Sequence, residues 1–260
     1  MSRLELVLVG LAAVGVLVGL VAVAVGSTDL PLSTVVSALL GDGDPVTVAV
    51  VRSLRAPRAL LALEVGAALA VAGVIMQSLF RNALAAPDLL GASAGASTGA
   101  IVAITTGLTL RSAAYLPLLA AVGAGLALWL VLRLARAAGR LDATTLLLGG
   151  VALSAFLGAV NTALLASALE HWEVSRAITL WMLGGLTDRG WLHVALMTPG
   201  LVVGAALALR YRRELDLLSE GDELAESLGV DVPRMRVLLL GAAAVATGSA
   251  VAVGGIVGFV

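Results

Sequence analysis

Uncharged apolar runs about twenty residues long recur from one end of the chain to the other. A bilayer core about 30 Å thick needs about 20 apolar residues of helix to cross it. Runs of that order are Leu6–Val25, Ala59–Phe80 (interrupted only by Glu64), Leu89–Leu110, Ser112–Leu132, Ala143–Leu169, Trp191–Leu209 and Val237–Val260. Of the 260 residues, 60% are hydrophobic and 13% charged, and the mean hydropathy is +1.07. A soluble domain carries about 25% charged residues, so this chain cannot coat a water-facing surface. A soluble enzyme, a nucleic-acid-binding domain and a disordered protein are excluded. Backbone polar groups inside lipid must be satisfied within the segment, which favours helices. The expectation is an all-α polytopic protein, a single transmembrane domain over residues 1–260, with about seven membrane segments in a lipid bilayer.

The charged residues narrow the function. All 16 basic residues are Arg, with no Lys. A phosphate-cradling G-x-x-x-x-G-K-[ST] loop needs its Lys, so any ATP-driven work here uses another polypeptide, and the chain is not expected to be an enzyme. There is no Cys, and His171 and His193 lack metal-ligand spacing, so neither a metal site nor a cofactor is expected. With the N-terminus inside and the segments alternating, Arg3, Arg81, Arg133, Arg136, Arg140, Arg210, Arg212, Arg213, Arg234 and Arg236 fall on the inner side. Arg52, Arg55 and Arg58 cluster on the outer side, against that bias. The second membrane helix is expected to start near Ala59, with Pro57 in its first turn.

Several local patterns invite a role. Gly91, Gly95 and Gly99 repeat at four-residue spacing on one helix face, where another backbone can approach closely. Ser154, Gly158, Asn161 and Leu165 share a face of the fifth segment, so Asn161 either lines a polar path or bonds a neighbouring helix. Ser219–Gly229 reads as one short helix, capped at its start by Ser219 with Asp222 and closed by Gly229. Leu224, Ala225 and Leu228 form its apolar face and Glu220, Glu223 and Glu226 its acidic one. Glu64 lies about 9 Å into its segment at 1.5 Å per residue, which suits a local hydrogen bond or ion pair better than a midplane ion site.

The order of motifs resembles the FecCD family, the permease subunits of ATP-binding-cassette importers for iron-siderophore, haem and cobalamin. The matching stretches are Arg55-Ala-Pro-Arg58, Gly73-Val-Ile-Met-Gln77, Leu79-Phe-Arg-Asn82, Leu89-Leu-Gly91, Ser93-Ala-Gly95, Leu147-Leu-Gly-Gly-Val-Ala-Leu-Ser154, Trp181-Met-Leu-Gly-Gly185, Leu217 to Val230, and Gly254-Gly-Ile-Val-Gly-Phe-Val260. They cover about residues 30–260. Ala83 departs from the family, which usually has Pro after Arg-Asn. The last motif normally continues into further helices, so the expectation is the N-terminal part of a ten-helix permease.

The resemblance implies partners and sites. It implies a homodimer or paired permease in the cytoplasmic (inner) membrane of a prokaryote, separate ATPase subunits and an extracytoplasmic binding protein. Arg55 and Arg58 would dock acidic side chains of that binding protein. Residues 213–231 would form the cytoplasmic coupling loop, with Ser219, Gly221, Asp222, Glu223, Leu224, Ala225, Leu228 and Gly229 meeting the ATPase. The fifth helix, with Ser154, Gly158 and Asn161, would line the path at the dimer interface. The cargo implied is an iron-siderophore chelate, with cobalamin or haem as alternatives. An ion-coupled secondary transporter would need midplane ionisable groups, and Glu64 is shallow.

Overall fold

The computed structural model describes residues 3–26, 30–137, 139 and 142–257. Arg140 and the final Gly-Phe-Val of the last motif lie outside the described residues. The described chain is helical, with no strand, and divides into two compact units: Met1–Glu64 with Leu186–Ala195, and Val65–Gly185 with Leu196–Val260.

The first unit contains α1 (Arg3–Ala24), α2 (Leu32–Leu40) and α3 (Pro45–Val50), and the start of a much longer helix. Gly41 at φ 98° closes α2, since glycine takes the left-handed conformation without a Cβ penalty. Asp44 caps α3 by accepting from the Thr47 amide at 3.0 Å, with Pro45 in the first turn. Val51–Arg55 is then π-helical and runs directly into α4 (Ala56–Phe80). The expected start near Ala59 is therefore corrected: the helical run is 36 residues long, from Pro45 to Phe80, with Pro57 inside it. Proline has no amide hydrogen, and its ring meets the carbonyl four residues back. The wider turn just before Pro57 lets the helix pass that position without breaking. Val23, Val35, Ala38, Val51 and Ala59 form the apolar core of this unit.

The second unit holds the rest of α4 and α5 (Ala92–Thr105), α6 (Leu108–Arg111), α7 (Tyr115–Ala137), α8 (Ala143–Ser167) and α9 (Trp172–Met182). It continues with most of α10 (Trp191–Arg210), then α11 (Arg212–Glu220), α12 (Asp222–Ser227) and α13 (Val232–Gly254). Asp142 caps α8 through the Thr145 amide at 2.7 Å, and Asp231 caps α13 through the Arg234 amide at 3.1 Å.

Among the described residues, five helices are long and apolar enough to cross a membrane: Pro45–Phe80, Tyr115–Ala137, Ala143–Ser167, Trp191–Arg210 and Val232–Gly254. Of the other two expected segments, α1 is 22 residues long, and the third is the shorter apolar helix Ala92–Thr105. At 1.5 Å per residue α5 is about 21 Å long, short of a bilayer core of about 30 Å. The apolar run Leu89–Leu110 is broken by Gly91 (φ 79°) and Gly107 (φ 69°), which bracket α5. Of the five, α13 is the most enclosed, 67% buried against 17% for α8, so α13 is central to its unit and α8 keeps a broad apolar face outward.

Candidate functional site

The arginines that break the charge rule sit where the helix widens. Arg52 and Arg55 lie in the π-helical segment and Arg58 in the first turn of α4. Each holds a carbonyl of a different segment. Arg52 Nε donates to Leu39 O at 3.2 Å, at the end of α2. Arg55 Nη1 donates to Val23 O and Ala24 O at 3.0 and 2.9 Å, closing the end of α1. Arg58 Nε donates to Leu186 O at 3.2 Å. The last carbonyls of a helix have no intrahelical partner and carry partial negative charge, so arginine satisfies them twice over. The two expected docking residues therefore differ: Arg55 is half-buried against α1, while Arg58 is exposed.

Beside them a cavity of about 190 Å³ is lined by Gly26, Leu54, Arg55, Arg58, Asp188 and Arg189, among others. Burial pulls the Arg189 guanidinium below the usual arginine range, and the charge of Asp188 opposes that shift. Sequence reasoning assigned Arg189 no role, because the contact that brings it to Arg55 and Arg58 spans more than a hundred residues.

The segment between α10 and α13 departs from the single helix expected over Ser219–Gly229. It is two helices, α11 and α12, separated by Gly221 at φ 141° and ψ 153°, a backbone region essentially reserved for glycine. Ser219 caps nothing: it lies in the last turn of α11 and donates from Oγ to Asp216 O at 2.7 Å. Asp222 is engaged by Arg236 of α13, whose Nη2 donates to both carboxylate oxygens at 2.9 Å. Gly229, at φ 86°, closes α12: its amide donates to Glu226 O at 2.9 Å and the Val230 amide to Ala225 O at 3.0 Å. That bond pair is a Schellman turn.

The expected apolar face also splits. Ala225 is fully buried, whereas Leu224 and Leu228 are 46% and 52% exposed. Glu223 and Glu226 are exposed beside them. The outward surface is thus two leucines among carboxylates. Leu228 and Gly229 also border a cleft of about 230 Å³ shared with Tyr211, Arg213, Glu214 and Asp231.

The residues expected on the pathway and in packing sort differently. Asn161 is 4% exposed; its Oδ1 accepts from Thr98 Oγ1 at 2.8 Å and its Nδ2 donates to Ala94 O at 3.2 Å. It joins α8 to α5, the second of the two uses open to it. Ser154 is half-buried and Gly158 exposed on α8. Gly95 and Gly99 meet α7: a Cβ on Gly95 would run into Gly123 O, and one on Gly99 into Leu119 O. Gly91 does not share that face, because it precedes α5 as its left-handed cap. Gly150 of α8 lies against Leu89 O in the same way. Glu64 is half-buried on α4.

Two motifs that sequence reasoning treated separately interlock. The Gly185 amide donates to Gly254 O at 2.7 Å. Gly184 at φ 72° lies against Ile256 O, and Gly255 at φ 74° against Trp181 O, leaving no space for a side chain at either.

Comparison with known proteins places these features in a family. The profile described as the FecCD transport family matches residues 13–260. The chain is 40% identical over 245 residues to the cobalamin import system permease protein BtuC of Halobacterium salinarum, covering 92% of this chain and 64% of that one. It is 36% identical over 236 residues to the ferric enterobactin transport system permease protein FepG of Escherichia coli, covering 90% of this chain and 70% of that one. The chain thus spans less than two thirds of the first relative's length. A solved structure described as an inward-facing conformation of a metal-chelate type ABC transporter superposes with a TM-score of 0.86 at 26% identity, over 98% of this chain and 77% of the other.

Proposed function

Since the chain belongs to the FecCD transport family, we propose that it is a permease subunit of a binding-protein-dependent ATP-binding-cassette importer. It works in the cytoplasmic membrane as one of a pair, and separate subunits hydrolyse the ATP. The observation that carries this reading is the surface segment from Arg212 to Val230. It lies between two membrane helices and turns Leu224 and Leu228 outward among carboxylates. Exposed leucines rimmed by charge suit a protein groove, and the ATPase occupies that place. Ala225 is buried beneath that surface, and Asp222 is held by Arg236.

Arg58 faces the binding protein on the outer side of the membrane, and Arg55 holds the scaffold that presents it. An exposed guanidinium on a firm helix offers a carboxylate a two-pronged partner. Transport follows when docking on one side and ATP-driven closure on the other favour different states of the membrane helices.

The cargo is an organic metal chelate, and we assign it to the ferric siderophore class. FepG is named for ferric enterobactin. The 40% identity to a protein named for cobalamin import supports cobalamin as the second candidate. The test is reconstitution with the partner ATPase and binding protein in vesicles, followed by uptake of radiolabelled ferric enterobactin and cobalamin. ATP-dependent uptake of either supports the importer. Uptake driven by an ion gradient without ATP overturns it.

A further inference from the structure

Asp222 of α12 and Arg236 of α13 form an ion pair that ties the two helices together. Arg236 lies in the second turn of α13 and is 7% exposed, while the Asp222 side chain keeps 40% of its surface. A buried guanidinium is costly unless a carboxylate meets it, and Asp222 is that carboxylate. Asp222 also forgoes its usual task at a helix start. The cap position of α12 is Gly221, and no side chain caps the helix.

A glycine of positive φ stands at each end of α12. Gly221 separates it from α11, and the Schellman turn at Gly229 separates it from α13. Arg81, itself at φ 48°, comes up against Gly221: a Cβ there would lie 3.4 Å from Arg81 Nη1. The short helix thus lies between two glycines, with its first residue bound to α13. From Arg236 to Gly254 a continuous helix runs about 27 Å at 1.5 Å per residue. Its far end is the glycine interlock with Gly184 and Gly185.

We infer that the Asp222–Arg236 pair is the relay through which movement of α12 enters α13. This rests on the reading of residues 212–230 as the ATPase-facing segment. Leu224 and Leu228 hold the partner, Asp222 passes the displacement to Arg236, and α13 delivers it as a rigid rod to the joint with the end of α9. Asp222 is therefore a positioning residue that does not touch cargo or nucleotide. Coupling of this kind requires a stiff element with two arrangements that both ends can bias.

The absence of cysteine makes a clean test available. A single nitroxide on Val245→Cys, an exposed α13 position, reports on that helix in the assembled transporter with ATPase and binding protein. In the otherwise native complex the label signal shifts between nucleotide-free and ATP-bound states. Asp222→Asn is expected to keep the ATPase in the complex, lose that shift, and lower uptake per ATP hydrolysed at least tenfold. Asp222→Glu should retain the shift. The exchange Asp222→Arg with Arg236→Asp should recover at least half of it. Thermal melting of each variant confirms that the fold is kept. The inference is overturned if Asp222→Asn keeps shift and uptake, if the exchange recovers nothing, or if Asp222→Asn releases the ATPase. The underlying reading fails separately, if Leu224→Asp with Leu228→Asp leaves the ATPase bound.

Discussion

The Gly185 amide and the Gly254 carbonyl lie 2.7 Å apart and join the end of α9 to the end of α13. Around that bond three glycines adopt positive φ, and two of them leave no space for a Cβ. Such a contact constrains the ends of both helices at once.

Gly255→Ala and Gly184→Ala should each destabilise the protein. A side chain at positive φ costs about 1–3 kcal/mol before any steric conflict is counted. Gly241→Ala is the control, since it lies within α13 with open space around its Cβ position; alanine there is expected to be neutral or stabilising by up to about 1 kcal/mol. Thermal denaturation in detergent of the three variants measures the contrast, and equal melting temperatures would remove the interlock from the account.

Asn161 should be closed to water. Cysteine at that position is expected to resist small aqueous thiol reagents, because the side chain lies 4% exposed between α8 and α5. Asn161→Ala should cost about 0.6–1.7 kcal/mol, the range measured for hydrogen bonds between membrane helices. Rapid labelling in any transport state would return Asn161 to the pathway.

Replacing Leu224 and Leu228 together with Asp should abolish co-purification of the ATPase while membrane insertion continues. Both side chains are about half exposed, so their loss leaves no cavity in the fold. Pull-down of the tagged ATPase decides it, and undiminished recovery would move the partner surface elsewhere.

Arg55→Glu and Arg58→Glu should fail in different ways. Arg58→Glu is expected to slow binding-protein association several-fold, an effect that shrinks as salt rises. Arg55→Glu places a carboxylate against Val23 O and Ala24 O, so it should lower stability and loosen α1. Association kinetics at two salt concentrations, with melting curves alongside, separate the two. Identical behaviour would mean that the carbonyl contacts of Arg55 carry no weight.

These contrasts mark what the sequence could and could not tell. The apolar runs placed α7, α8 and α10 within five residues at either end, because lipid imposes length and hydrophobicity on each segment independently. The Gly91–Gly95–Gly99 repeat showed a close approach, but periodicity could not show that Gly91 falls outside the helix, since its φ depends on the chain turning at Leu90. Leu224, Ala225 and Leu228 read as one stripe; on α12 Leu224 and Leu228 share a face, and Ala225, about 100° round from Leu224, is the one that is buried. The partners of Arg55 are carbonyl oxygens, which every residue type carries equally. No pattern of side chains could have named Val23 and Ala24.

The π-helical segment at Val51–Arg55 amounts to one residue held in reserve. A wider turn rotates each residue through a smaller angle than the 100° of an α-helix. Arg52, Arg55 and Arg58 thereby fan out far enough to reach three separate segments instead of crowding one face. Deleting a single residue between 51 and 54 would tighten this turn and swing everything before it by about 100° about the axis of α4. Arg55 would lose Val23 and Ala24, although no residue of the membrane run after it had changed. Length variation in this family should therefore be tolerated poorly at this turn and more freely after Gly41, where the chain is already exposed.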